Sequence, residues 1–322
     1  HILPVLGLYP DYDNTVIISL YQGPEYTIKV KTEKTDSAPA KLVSMETSYE
    51  YLGSELIFVS PVANPDRLTG FDLNGDVRWY TTILLKMGIK RLANGRLLVG
   101  GERTIAPPYF TASIYELDLL GKIYNEYIIP GGYHHDHFEM PDGDLLVLTQ
   151  GENAATVEDM CVLIDRKTGE IKKTWDYKDV ITPGDGGSGL ATKEDWFHNN
   201  AVWYDENTNS LSLSGRHIDA IINLDYDCGK LNWILGDPEG WSEEKLKYFF
   251  TPITSKPFEW QYAQHAVSVL PDGDILCFDN GTKRSKNKDK YLLNKDNYSR
   301  AVRYRINTEA MTVEQVWEYG RE

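Results

Sequence analysis

The sequence holds three cysteines in 322 residues, Cys161, Cys228 and Cys277, and none of them forms a CxxC pair. That excludes a cysteine-based zinc site of ordinary spacing and leaves at most one disulfide, so cysteine content does not fix the redox compartment. Long apolar runs are missing as well: none approaches the roughly 20 residues that cross a bilayer as a helix. A basic surplus is also lacking. With 33 Lys and Arg against 48 Asp and Glu the formal charge is −15, which argues against nucleic acid and anionic membrane surfaces, because both reward clustered cations. An anionic ligand would therefore need local positive charge set in an acidic background. Helical periodicity is scarce, and Ser242–Phe249 is the best candidate for a short helix. The chain opens at His1 with no initiator Met and no leader-like apolar segment, so its natural start is expected upstream.

What is present is the composition of a folded domain, 41% hydrophobic and 25% charged, organised as a repeat. One half of the repeat is a turn followed by an apolar strand. It reads Ala93-Asn94-Gly95-Arg96-Leu97-Leu98-Val99, then Pro141-Asp142-Gly143-Asp144-Leu145-Leu146-Val147, then Pro271-Asp272-Gly273-Asp274-Ile275-Leu276, with a variant at Asp205-Glu206-Asn207 to Leu213. Asn-Gly and Asp-Gly between apolar runs signal hairpins, because these residues tolerate the positive φ of tight turns. The other half is a strand, a turn and a late aromatic: Phe71 to Trp79, Tyr115 to Tyr127, Leu163 to Trp175, Ile222 to Trp233 and Val302 to Trp317.

Units of about four short strands repeated along a chain predict an all-β fold, a β-propeller. About five blades fit between residues 55 and 318. A propeller closes its ring to remove exposed edges, so a sixth blade is expected beyond Glu322. Residues 1–50 fall outside the repeat. Val16–Leu20 and Tyr26–Val30 predict strands of a small N-terminal β-sandwich-like domain, which leaves residues 51–322 for the propeller.

Apart from His1, the histidines occupy three neighbourhoods: His134, His135 and His137; His198 with His217; and His265. The repeat explains the grouping. His135 and His265 each lie six residues before the Pro of a Pro-Asp-Gly turn, and Asn200 stands 65 residues from both. Equivalent positions at the start of inner strands ring a propeller's axis, so the three are expected to share a pocket. Arg216, one short strand after Asn200, supplies an inward cation. His134, His137 and His217 are weaker candidates, since neighbours on a strand point to opposite faces. Other readings stay open. Histidines in blades commonly serve as hydrogen-bonded structural residues, as in an interaction module of WD type. His135, His198 and His265 could also ligate a metal in a lyase or hydrolase, although a fixed guanidinium at Arg216 would repel the ion.

Six motifs together resemble the bacterial arylsulfate sulfotransferases, which work without a nucleotide sulfate donor. They are His134-His135-Asp136, Asp195-Trp196-Phe197-His198-Asn199-Asn200, Leu213-Ser214-Gly215-Arg216-His217, Asn232 to Gly236, Gln264-His265 through Phe278-Asp279-Asn280-Gly281, and Tyr298-Ser299-Arg300-Ala301. The resemblance implies a six-bladed propeller behind a small immunoglobulin-like domain, a periplasmic location, and often a homodimer. It implies a small-molecule aryl sulfate donor and a phenolic acceptor; no cofactor and no metal are expected. The reaction it implies is ping-pong through a sulfohistidine. On these positions His265 matches the sulfurylated histidine, and His135, His198, Asn200 and Arg216 match residues of the sulfate pocket. The family's C-terminal segment and the close cysteine pair of some members have no counterpart here.

The chemistry suits the residue types. Imidazole, with an ordinary pKa near 6.5, is largely neutral at pH 7 and is a competent nucleophile. Arg216 offers a planar fork for sulfuryl oxygens, and Asn200 and His198 can add donors. An acid/base partner is needed for the phenol, a task His135 or His198 could take.

Overall fold

The computed structural model describes residues 2–35, 44, 55–60, 67–106, 110–253 and 257–321. Among the described residues, regular structure is almost all strand. The helical pieces are short 3-10 turns, the longest being Glu243–Tyr248, within the segment where the sequence predicts a helix. No described helix is long and apolar enough to cross a membrane.

Five antiparallel sheets follow one another along the chain in a β-propeller arrangement. The first holds Ile57–Val59, Thr69–Phe71 and Val77–Tyr80. The second runs from Lys86–Arg91 through Leu97–Gly100 and Phe110–Leu117 to Ile123–Tyr133. The third contains His137–Glu139, Leu145–Thr149, Met160–Ile164 and Ile171–Asp176, and the fourth Asn199–Asp205, Ser210–Gly215, Ala220–Asp225 and Leu231–Gly236. The fifth is built on His265–Val269, Ile275–Asp279, Arg300–Asn307 and Thr312–Tyr319, and Thr251–Pro252 adds to its last strand in parallel. The five repeats of the sequence are these five blades.

The repeated turn explains why the blades form where they do. In three blades the residue before the turn donates its N–H across it: Leu92 to the Arg96 carbonyl (2.8 Å), Met140 to that of Asp144 (2.8 Å), and Leu270 to that of Asp274 (2.9 Å). Gly95, Gly143 and Gly273 sit in each turn at φ +84°, +92° and +85°. A Cβ is strongly disfavoured there, so the glycine of each Asn-Gly or Asp-Gly fixes the hairpin and, with it, the strand register.

The chain divides into two compact units, residues 1–104 with 114–126, and residues 105–113 with 127–322. The first unit includes the hairpin of Asp13–Ser19 and Glu25–Lys31, which contains most of both strands expected in the N-terminal segment. The boundary expected at residues 50 and 51 lies outside the described residues. The second unit contains the three histidine neighbourhoods. Its cores bury Trp175, Trp196, Phe197 and Leu213 in one cluster, and Trp233, Val267 and Tyr304 in another. Each fully buried large apolar side chain contributes about 1.5–3 kcal/mol. Trp196 and Phe197, which flank the central motif, are therefore packing residues. The three cysteines are free thiols, with Cys161 and Cys277 buried and Cys228 exposed.

Candidate active site

The first strands of the last three blades, His137–Glu139, Asn199–Asp205 and His265–Val269, run beside one another. Two side chains tie them. Asp136 Oδ2 accepts the N–H of Val202 (3.1 Å), and Asn200 Nδ2 donates to the carbonyl of Gln264 (2.8 Å). These ties gather the histidines: the rings of His135 and His198 are 5.1 Å apart, and those of His135 and His265 are 6.3 Å apart. A sequence separation of 130 residues thus becomes one cluster of side chains, as the matched repeat positions predict. Asn200 also has a bracing part that its residue type does not announce. Its amide braces the chain just before His265, while its buried Oδ1 has no hydrogen-bond partner among the described residues.

His265 opens its strand half-buried. Its Nδ1 lies 2.8 Å from Asn280 Oδ1 and 3.1 Å from the Ala263 carbonyl. A carbonyl oxygen can only accept, so Nδ1 carries the hydrogen and the lone pair of the neutral ring is on Nε2. Burial pushes the imidazole below its ordinary pKa and the Arg216 guanidinium adds to this, against the opposing hydrogen bond to Asn280. At neutral pH His265 is therefore an uncharged imidazole.

His198 is its electrostatic opposite. Its Nδ1 lies 2.8 Å from Asp195 Oδ2 and 2.6 Å from Glu158 Oε2. Burial alone would lower its pKa, but the two carboxylates outweigh burial and hold it at about 9. Glu158 is pulled down to about 2, because the surrounding histidines, His198 first, overcome its own burial. At pH 7 the pair is an imidazolium facing two carboxylates, with its remaining N–H on Nε2.

Arg216 reaches the site through two backbone bonds. Its N–H donates to the His198 carbonyl (3.1 Å), and that of His217 to the Phe197 carbonyl (3.1 Å). The 3-10 turn Arg216–Ile218 begins directly after Gly215, where a Cβ would come 2.6 Å from Ile218 and 3.0 Å from Phe197. The missing side chain is what lets this turn close onto the histidine loop. Arg216 Nη1 donates to His217 Nε2 (2.9 Å), and His217 Nδ1 donates to the Asp195 carbonyl (2.7 Å). His217 stacks on His198 with ring centroids 4.4 Å apart. Among the described residues no carboxylate lies within salt-bridge distance of Arg216, an unusual state for a half-buried guanidinium in a chain of charge −15. Two cations and a neutral imidazole therefore converge.

The structure departs from strand logic at one point. Alternation predicts that His134 and His135 face opposite ways, yet their Nδ1 atoms are 3.1 Å apart. The reason is backbone conformation: His135 has φ +52° and His198 φ +54°, so both site histidines sit in the left-handed region, where alternation fails. His217, also set aside on sequence grounds, belongs to the cluster because it lies in a 3-10 turn. Glu158, Asp195 and Asn280 were not singled out. Asp195 and Asn280 lie inside recognisable motifs, but Glu158 sits in a loop at φ +56° with no periodic signal.

Ligating atoms of His134, His135 and Glu158 lie within 4.8 Å of one another, as do those of Asp195, His198 and His217. Both sets are internally hydrogen-bonded. His137 bonds Tyr133 (2.9 Å) and belongs to neither set.

The profile of a family described as Arylsulfotransferase (ASST) matches residues 41–322. The chain is similar to the arylsulfate sulfotransferase AssT of Escherichia coli O6:H1, with 26% identity covering 78% of this chain and 52% of that protein. It is also similar to AssT of Lelliottia amnigena, with 24% identity, 79% of this chain and 49% of the relative. The chain thus spans about half the length of the curated relatives it matches. Among solved structures, an auxiliary nutrient binding protein from Bacteroides ovatus aligns with a TM-score of 0.44 at 14% identity, over 81% of this chain and 56% of that one.

Proposed function

The chain belongs to the arylsulfotransferase family, and we propose that its histidine cluster moves a sulfuryl group from an aryl sulfate ester to a phenolic acceptor, with His265 as the covalent carrier. The observation that carries this reading is the tautomer of His265, whose Nδ1–H is shared by Asn280 Oδ1 and the Ala263 carbonyl. In the first half-reaction the Nε2 lone pair forms a bond to sulfur while the bond from sulfur to the aryl oxygen breaks. The phenolate departs with that electron pair. The ring becomes cationic, and the same two acceptors on Nδ1–H stabilise the developing charge.

The sulfuryl oxygens need donors throughout. Arg216 supplies a planar fork and His198 an imidazolium at pH 7, whose charge Glu158 and Asp195 maintain. A cation at this place also favours departure of a phenolate. In the second half-reaction the acceptor phenol gives its proton to His135, which burial holds well below its ordinary pKa and therefore neutral. The phenol oxygen attacks sulfur, and the N–S electron pair returns to His265 Nε2. Asn200 acts here by bracing Gln264, the residue before the nucleophile.

This reading requires ping-pong kinetics and a burst of phenol when no acceptor is present. Parallel double-reciprocal lines with a burst near one equivalent of active sites support it. Intersecting lines without a burst would mean direct transfer between bound substrates.

A further inference from the structure

His134 is fully buried, makes no part of the reaction described above, and was expected to point away from the site. Its Nε2 lies 3.1 Å from the backbone carbonyl of Thr149. That carbonyl can only accept, so Nε2 bears the ring hydrogen. Burial lowers the pKa of His134, and the ring is neutral. Its Nδ1 is then an acceptor, and the 3.1 Å contact with His135 Nδ1 requires the hydrogen to come from His135. His135 is neutral as well, so its lone pair lies on Nε2. Two successive hydrogen positions follow from one backbone carbonyl. The arrangement is held in place: Phe110 packs against His134 with centroids 5.5 Å apart, and the single Thr149 Oγ1 hydrogen is shared by the Gly132 carbonyl (2.8 Å) and the Pro130 carbonyl (2.9 Å).

We propose that His134 is a positioning residue that locks His135 in the tautomer with hydrogen on Nδ1, so that Nε2 serves only as a proton acceptor for the incoming phenol. The proposal rests on the sulfuryl-transfer reading for the identity of the proton donor, but the tautomer assignment does not. The opposite tautomer would present an N–H at Nε2, which could bind a sulfuryl oxygen but could not take the proton. In the step concerned the phenol O–H bond breaks and the proton passes to His135 Nε2. The oxygen lone pair forms the bond to sulfur, and the sulfur–nitrogen pair returns to His265.

Two variants test it. His134→Leu removes the acceptor; His134→Asn keeps an amide oxygen near the place of Nδ1. Nitrogen NMR of histidine-labelled protein without substrate reads the tautomer of His135. The expected result is an Nδ1–H ring in the wild type and the Asn variant, and a shift toward Nε2–H in the Leu variant. In turnover, His134→Leu should lower kcat about tenfold or more, part of the 10²–10⁴ that general acid–base catalysis supplies. The loss should be greatest for weakly acidic phenols as acceptors, with the KM for the donor unchanged and activity recovered in His134→Asn. Unchanged His135 nitrogen shifts in a folded Leu variant would overturn the assignment, as would a loss that is the same for every acceptor. If the Leu variant does not fold, the Asn variant decides: wild-type shifts support the lock and altered shifts refute it. If no sulfuryl transfer is detected in the wild type, the function fails while the NMR result still judges His134.

Discussion

Glu158 Oε2 stands 2.6 Å from His198 Nδ1, in a site where burial would otherwise strip the imidazole of its charge. Each partner's titration follows from the other. His198, raised from 6.5 to about 9, adds stability that is fully present below pH 6.5 and lost as pH rises through about 9. Glu158, lowered from 4.5 to about 2, adds stability that is present above pH 4.5 and lost as pH falls through about 2. The pair therefore contributes most between pH 4.5 and 6.5. Glu158→Gln should bring the His198 pKa down toward 6.5, followed by NMR titration, and lower the transfer rate at pH 8 by about tenfold to a hundredfold. A His198 pKa still near 9 in that variant would place the charge elsewhere.

Arg216 tests the oxyanion contact. Arg216→Lys keeps the charge and loses the fork, so it should not rescue the site: kcat/KM for an aryl sulfate should fall about tenfold or more, with Arg216→Ala worse, near 10²–10³. Steady-state kinetics with one donor and one acceptor measure this. Equal activity of Lys and Arg would reduce the residue to a point charge.

Asn280 sets the state of the nucleophile. A carboxylate in its place would favour the charged imidazole, so Asn280→Asp should raise the His265 pKa above 6.5 from its present lowered position. Protonated His265 cannot attack, so the acid limb of the kcat/KM profile should move to higher pH. The same limb in both proteins would show that another group controls it.

Asp219 joins the two turns that carry Arg216 and His265. Its buried Oδ1 accepts the N–H of Ala263 (2.7 Å), a residue held at φ +50° whose carbonyl supports His265. Asp219→Ala orphans that N–H and should cost about 1–3 kcal/mol in thermal or denaturant unfolding. Asp219→Asn, which keeps an oxygen acceptor, should lose much less.

The blades were legible because the turn chemistry repeats: Asn-Gly and Asp-Gly at Gly95, Gly143 and Gly273 impose one backbone solution three times. The matched spacing of His135, Asn200 and His265 was legible for the same reason, since a repeat turns sequence distance into spatial proximity. What the repeat could not carry were departures from regular strand. His134 and His217 were set aside by an alternation rule that left-handed backbone at His135 and a 3-10 turn at Arg216–Ile218 make inapplicable. Glu158 comes from a loop whose path depends on tertiary contacts, such as the bond from the Asn199 N–H to its own carbonyl (2.9 Å). For Asn200 the residue type predicts a donor but not the acceptor that the Nδ2 amide meets, the Gln264 carbonyl.

The central claim is the covalent step on His265, and it is tested most directly by trapping. The protein, in a form that turns over aryl sulfates, is mixed with an aryl sulfate in the absence of acceptor, quenched under alkaline conditions and digested. Peptide mass spectrometry then locates any added group. The account predicts one labile sulfuryl group on the peptide containing His265, lost on acid treatment, discharged by added phenol and absent from His265→Asn. An active protein that carries no adduct, or carries it on another residue, would contradict it.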